Sequence, residues 1–323
     1  MDLSQSRILI TGGAGFIGTA LTKRLIDDNL ILIYDSFGRD ALKNTNLSSH
    51  PNIKIVKGDV LDSSHLETVF SDFKPEIVIH MAAVAGIDTV IKSPINTMKI
   101  NIVGTANVLE ATKPFVGIIK RFVDFSTSEV FGTNAFKLEE ESSVNLRPVG
   151  EARWVYAVSK LASEHLTYSY YRELNLPIVI VRPFNVYGPG QVGEGAIHVF
   201  VKRAINNEEI QINGDGDQIR SWCFIDDMVA GILLCLEKKE AVGEVFNIGN
   251  PRSTITILEL AKKIVNLSGS KSKIVHVPRN YIDVELRIAN IEKAKAILNY
   301  SPNFDLDEGL LKTIEWYKKL KDD

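Results

Sequence analysis

The stretch Arg7-Ile8-Leu9-Ile10-Thr11-Gly12-Gly13-Ala14-Gly15-Phe16-Ile17-Gly18 restricts the fold more than any other part of the chain. Its apolar run, Ile8 to Ile10, reads as a buried parallel strand. Gly12, Gly15 and Gly18 follow at the spacing GxxGxxG. From Thr19 to Asp28 the pattern turns helical, with Leu21, Leu25 and Ile26 apolar and Lys23 and Arg24 polar. Strand, glycine turn and helix in that order make a cradle for a diphosphate. Gly12 lets the chain turn tightly, and Gly15 leaves the amides at the helix start open to a pyrophosphate. Gly18 lets helix and strand lie close. The helix N-terminus adds a partial positive charge. Three glycines alone also fit an ordinary turn of any α/β protein.

The next apolar run, Leu30 to Tyr34, ends in Asp35. An acid roughly 20 residues beyond the glycines sits where a carboxylate can hold the hydroxyls of an adenosine ribose. It repels a 2′-phosphate, which favours NAD over NADP; Arg39, close by in sequence, weighs the other way. A turn acid at a strand end is the simpler alternative.

Further on, strand-like and helix-like segments alternate, as in a Rossmann-type, doubly wound α/β parallel sheet. Ile53 to Val56 reads as a third strand, closed by Gly58-Asp59-Val60, where Asp59 can hydrogen-bond an adenine and Val60 pack on it. Asp62 or Ser63 caps a helix running to Phe73. A fourth strand, Ile77 to Met81, ends in small residues, Ala82 and Ala83, which let a ligand lie against the backbone at the carboxyl edge. Pro94 to Lys113 reads as one long helix. Gly104 within it costs roughly 1 kcal/mol against alanine, a sign of close packing. Asn101 is either a buried anchor or a solvated side chain. A fifth strand, Arg121 to Phe125, delivers Ser126-Thr127-Ser128-Glu129 to the same edge. Glu139, Glu140 and Glu141 read as a solvated charge run.

Composition excludes several classes. A net charge of -3, with 45% apolar and 24% charged residues, gives no hint of a nucleic-acid or anionic-membrane partner. No apolar run approaches the length of a membrane span, and the first residues lack the pattern of a signal peptide. Cys223 and Cys235 read as buried thiols of a reducing, cytoplasmic protein. The six histidines show no metal-ligand spacing.

Tyr156 and Lys160 lie four apart in a segment, Tyr156 to Tyr171, with helical periodicity, so both fall on one face. Such pairs also arise as surface decoration. Here they follow a dinucleotide cradle and a Ser/Thr cluster. Taking hydride from a sugar carbon needs a base for that carbon's hydroxyl proton. A phenol with a pKa near ~10 is too weak at neutral pH. An ammonium about 5 Å away stabilises the phenolate by roughly 3 kcal/mol at an effective dielectric near 20, before desolvation is counted against it. Thr127 can share a hydrogen bond with the reacting hydroxyl.

Together the glycine loop, Asp35, Asp59-Val60, Asn101 with Gly104 and Thr105, Ser126-Thr127-Ser128, Tyr156 with Lys160, and Arg182-Pro183-Phe184-Asn185-Val186-Tyr187-Gly188-Pro189 resemble the extended short-chain dehydrogenase/reductases, and within them the nucleotide-sugar epimerases and dehydratases. The resemblance covers nearly the whole chain. It implies a catalytic Thr127, Tyr156 and Lys160. It implies NAD held by Gly12, Gly15, Phe16, Ile17, Gly18, Asp35, Ser36, Asp59, Val60, Met81, Ala82, Ala83, Asn101, Ser126, Tyr156, Lys160 and Pro183. A nucleoside-diphosphate sugar is expected on Thr127, Ser128, Glu129, Asn185, Arg220 and Arg287, the last three at the diphosphate. As surface residues, the two arginines need no ligand. The implied division is a nucleotide-binding domain over residues 1–182, with 222–249 returning to it, and a smaller α/β substrate domain over 183–221 and 250–323. A homodimer through the Pro94–Lys113 and Tyr156–Tyr171 helices is implied as well.

Members share a first step, oxidation at C4, and differ afterwards. A 4,6-dehydratase carries an Asp-Glu pair after its threonine; this chain has Ser128-Glu129, which argues against dehydration. Thr127-Ser128-Glu129 and Arg153-Trp154 resemble UDP-glucuronate decarboxylases. The segments Val84–Thr89, Gly150–Trp154 and Gly190–Gly195 look closest to bacterial 4-epimerases of UDP-sugars, including UDP-glucuronate. The expected reaction is 4-epimerisation of a UDP-hexose or UDP-uronate, with decarboxylation as the alternative. A third reading, a binding protein that kept NAD and lost the chemistry, sits poorly with an intact Thr127, Tyr156 and Lys160.

Overall fold

The computed structural model describes residues 1–279 and 283–322. Seven strands form one parallel sheet: β1 (Arg7–Thr11), β2 (Leu30–Asp35), β3 (Ile53–Lys57), β4 (Ile77–His80), β5 (Arg121–Phe125), β6 (Ile178–Pro183) and β7 (Glu244–Ile248), in the order β7-β6-β5-β4-β1-β2-β3. Strands buried on both faces are apolar throughout rather than alternating, as Ile8–Ile10 of β1, Ile31–Tyr34 of β2 and Ile77–Ile79 of β4 are. Ile8, Ile10, Ile31, Ile33, Ile77 and Ile79 fill one side of the sheet. Leu9, Leu32, Val78, Phe122, Ile178 and Ile180 fill the other. The order reverses at β1, between β2 and β4, so the crevice for a ligand opens above the carboxyl end of β1.

The glycine turn is built as its spacing demands. Gly12 has φ +70°, and a methyl group there would lie 2.6 Å from the Ala82 nitrogen. At Gly18 it would lie 2.7 Å from the Cα of Gly13. The first helix runs over Phe16–Leu25, three residues earlier than the periodicity alone places it. It starts directly after Gly15 and stops where the Asn29 side chain donates to the Leu25 carbonyl at 2.8 Å. Asp62 caps the Ser63–Phe73 helix by accepting from the His65 amide.

The expected Pro94–Lys113 helix is a continuous helical path with a widened turn in it. Regular turns at Pro94–Met98 and Gly104–Thr112 flank a π turn at Lys99–Val103. A methyl group on Gly104 would meet Val60 Cγ2 at 2.5 Å, so the close packing is real. The Val155–Leu174 helix lies alongside.

Residues from 183 onward build smaller sheets and helices, then return. β7 is the outermost strand of the large sheet beside β6, and the Ile225–Glu237 helix packs on the Phe16–Leu25 helix. A four-stranded sheet orders Thr254–Thr256, Ile219–Ser221, Leu286–Ile288 and Asn134–Phe136. In it Arg220 and Arg287 are direct neighbours on adjacent parallel strands.

One acidic residue departs from expectation. Glu140 is not part of a solvated run: it is 8% exposed and accepts the Asn247 amide of β7 at 2.7 Å. Burial raises its pKa, against the pull of that amide. Cys223 and Cys235 are free and buried.

Candidate active site

A cavity of about 390 Å³ opens above the carboxyl ends of β1, β2, β3 and β4. Gly12, Gly15, Asp35, Ser36, Asp59, Val60, Met81, Ala82 and Ala83 all line it. Asp35 stands at the end of β2 and also knits the floor together. Its carboxylate accepts the Ala14 amide at 2.9 Å and the Phe37 amide at 2.7 Å. Burial raises its pKa, and these amide bonds resist the rise. Gly18, Phe16 and Ile17 belong to the helix start behind the cavity wall.

Asn101 is the buried anchor of the two alternatives its sequence position left open. It is fully buried, and its amide is engaged within the protein. The oxygen accepts the Val84 amide at 2.8 Å, and the nitrogen donates to the Val84 carbonyl at 3.1 Å and the Ser159 hydroxyl at 3.0 Å. It therefore holds the cavity wall at Val84 and the Val155–Leu174 helix in register. The widened turn lets the Asn101 carbonyl receive hydroxyls from both Thr105 and Ser163, at 2.7 and 2.8 Å. Because Thr105 donates there, the His80 ring donates Nε2–H to Thr105 (2.9 Å) and accepts the Thr11 hydroxyl at Nδ1 (2.7 Å). Burial, reinforced by the Lys160 charge, drives the His80 pKa down to about 3. A neutral imidazole thus braces β1, β4 and the helix beneath the cavity.

β5 delivers Ser126, Thr127, Ser128 and Glu129, as the sequence implies, and the Val155–Leu174 helix brings Tyr156 and Lys160 to them. Thr127 is buried, and its hydroxyl accepts the Glu129 amide at 3.1 Å. Burial raises the Tyr156 pKa well above 10 and the Glu129 charge pushes the same way, while Thr127, Arg287 and Arg39 pull it back. Lys160 is itself driven toward its neutral form by burial, held back by Asp124 and Glu164. Its ammonium is buried without a hydrogen-bond partner among the described residues.

Ser126 donates to Glu164, whose two oxygens also take Arg182 at 2.8 and 2.6 Å. Glu164 lies four residues beyond Lys160 on the same helix, a spacing that signals a shared face and went unused in the sequence reading. Pro183 closes β6.

The remaining residues form a buried ionic cluster. Arg153 grips Glu129 at 2.6 and 3.3 Å and Asp283 at 3.0 Å. Arg287 stands 3.5 Å from Glu129, and Arg220 3.5 Å from Asp283. Three guanidinium groups thus face two carboxylates. Burial alone would raise the Glu129 pKa; the charges of Arg153 and Arg287 outweigh it and hold it at about 2. Arg220 spends its donors on the carbonyls of Ile219, Val284 and Glu285. It is a buried strand residue rather than a surface arginine, and burial beside Arg287 lowers its pKa to about 10. Arg287 keeps its Nε and Nη2 unpartnered among the described residues. Asn185 donates to the Ser221 carbonyl at 2.7 Å, tying the loop after β6 to the Arg220 strand.

A dinucleotide fits this site on three observations: the methyl-free turn at Gly12, the carboxylate of Asp35 on the cavity wall, and the orphaned ammonium of Lys160. The family model of the NAD dependent epimerase/dehydratase family matches residues 8–249. A dTDP-D-glucose 4,6-dehydratase of Dictyostelium discoideum is 36% identical over 83% of this chain, which spans 63% of that relative's length. A UDP-N-acetyl-alpha-D-glucosaminuronate decarboxylase of Bacillus cytotoxicus is 31% identical over 99% of this chain and 100% of its own. The crystal structure of UDP-glucuronic acid 4-epimerase from Bacillus cereus with UDP-glucuronic acid and NAD superposes with a TM-score of 0.87, at 31% identity, over 97% of this chain and 99% of that one. The chain belongs to the NAD dependent epimerase/dehydratase family, and its cofactor is NAD.

Proposed function

We propose that this protein interconverts the C4 epimers of a UDP-sugar, UDP-glucuronate with UDP-galacturonate or UDP-glucose with UDP-galactose, through a transient 4-keto sugar. The observation that carries the reading is the meeting of Thr127, Tyr156 and Lys160 at the carboxyl edge, next to a cluster with a surplus of one positive charge.

NAD supplies the hydride acceptor and donor for the sugar's C4. Tyr156 takes the proton from the C4 hydroxyl and gives it back, and Thr127 shares that hydrogen bond. A proton acceptor works best with a pKa near the working pH. Burial alone leaves Tyr156 too basic, and the positive charge of the bound oxidised cofactor and of Lys160 oppose this. Lys160, whose ammonium has no hydrogen-bond partner among the described residues, would hold the cofactor's ribose hydroxyls. Arg287 takes the substrate's diphosphate on its free donors, since a guanidinium fork matches such oxygens. Ser128 stands where a dehydratase needs an acid, so elimination of water lacks its proton donor.

Decarboxylation of a UDP-uronate is the second reading, favoured by the buried, ionised Glu129 beside Tyr156. Incubation with UDP-glucuronate decides between them. A product of unchanged mass with an inverted C4 proton coupling supports epimerisation. Loss of carbon dioxide supports the alternative, and no reaction with UDP-glucuronate, UDP-glucose or UDP-galactose overturns both.

We also propose a homodimer through the Pro94–Thr112 helical path and the Val155–Leu174 helix. Ile95, Val103 and Val158 expose apolar side chains there. Two buried free thiols fit a cytoplasmic setting.

A further inference from the structure

We propose that Glu194 is a cofactor-positioning residue, which straps the loop after β6 across the cofactor cavity and retains NAD there. Glu194 belongs to the Gly190–Gly195 segment, far in sequence from the nucleotide cradle. Its carboxylate accepts the amides of Asp88 at 2.9 Å and Thr89 at 3.2 Å, and the Thr89 hydroxyl. The Arg39 guanidinium donates to it at 3.3 Å and to the Thr89 hydroxyl at 3.4 Å.

Topology gives this bridge its meaning. Arg39 follows β2 and Thr89 follows β4, and both residues line the cavity. These strands flank β1 on opposite sides, about 10 Å apart at the usual strand spacing. The glycine turn that cradles the pyrophosphate follows β1 and lies between them. A contact joining Arg39 to Thr89 through Glu194 therefore spans the cradle, anchored from the substrate side of the chain.

The surrounding backbone is shaped around the strap. Gly86 and Gly193 both have φ +97°. A methyl group on Gly86 would lie 2.6 Å from Glu194 Oε2 and 2.7 Å from Arg39 Nη2; on Gly193 it would lie 2.8 Å from Arg39 Nη1. Arg39 and Glu194 are partly exposed, so solvent screens their charge pair. The two amide bonds and the Thr89 hydroxyl, all charge-assisted, carry most of the strap's strength.

The test is the rate of NAD release from the full-length protein without substrate, followed by exchange into the fluorescent ethenoadenine analogue. E194Q is expected to release NAD about tenfold faster, equivalent to about 1.4 kcal/mol. Arg39→Gln added to it is expected to contribute less than it does alone, because both act through one bridge. Thr89→Val, which removes one donor and neither charge, is the second variant, with release about threefold faster. Release at the parent rate from folded E194Q, or from Thr89→Val should E194Q not fold, overturns the proposal. So does a drop in the melting temperature of the NAD-free protein without faster release, the mark of a merely structural contact.

Discussion

Glu129 and Arg153 meet through two hydrogen bonds, at 2.6 and 3.3 Å, in the buried wall beside Tyr156. Breaking a buried pair by removing one partner strands a charge. Arg153→Met is expected to destabilise the fold by about 3–5 kcal/mol, measured by denaturant unfolding. The pair also sets an acid limit. The folded pKa of Glu129, about 2, lies below its ordinary 4.5. The stabilisation is full above pH ~4.5 and is lost as pH falls toward 2, about 3 kcal/mol in all. Glu129→Gln should unfold with a shallower acid dependence over that range.

Tyr156→Phe removes the proton acceptor and leaves the cavity intact. Turnover is expected to fall at least 10²-fold, with NAD still bound after purification. Unchanged turnover would refute the assignment. Lys160→Met should weaken NAD binding and move the alkaline rise of kcat/KM to higher pH, because the phenolate loses a stabilising charge.

His80 gives the fold a second pH dependence. Its pKa, about 3, lies below the ordinary 6.5 because burial opposes the charged ring. The unfolded chain binds this proton and the folded one does not. Stability therefore falls as pH drops from 6.5 toward 3, by up to about 5 kcal/mol. His80→Asn should abolish that slope in unfolding free energy measured across the range.

Ile95 is the most exposed of the apolar residues on the Pro94–Thr112 path, at 72%. Ile95→Glu should shift the protein from dimer to monomer in light scattering, with little change in melting temperature. A parent chain already monomeric at micromolar concentration would sink the dimer.

The cradle was legible in the chain because it is local. Strand, glycines, Asp35, and the Ala82-Ala83 edge each need a residue type at a fixed spacing, and backbone geometry imposes that spacing. Tyr156 with Lys160 was legible for the same reason. The ionic cluster was not: Arg153, Glu129 and Asp283 come from segments whose only common signal is three-dimensional. Glu140 shows the same limit. Nothing in Glu139-Glu140-Glu141 marks the middle acid as the one β7 requires. Burial, the largest influence on the Tyr156 pKa, is a quantity that no spacing reports.

The place of β7 has a consequence for how the chain acquires its structure. Six strands of the large sheet are complete by residue 183, but the seventh arrives only with residues 244–248. Until then β6 presents an open row of backbone donors and acceptors, and Glu140 waits for the Asn247 amide. A ribosome-bound chain halted before residue 248 should hold a sheet with a bare, sticky edge. The segment that carries Arg220 is thus made before the sheet beneath the cofactor is sealed, and its own sheet partners, Thr254–Thr256 and Leu286–Ile288, come only afterwards.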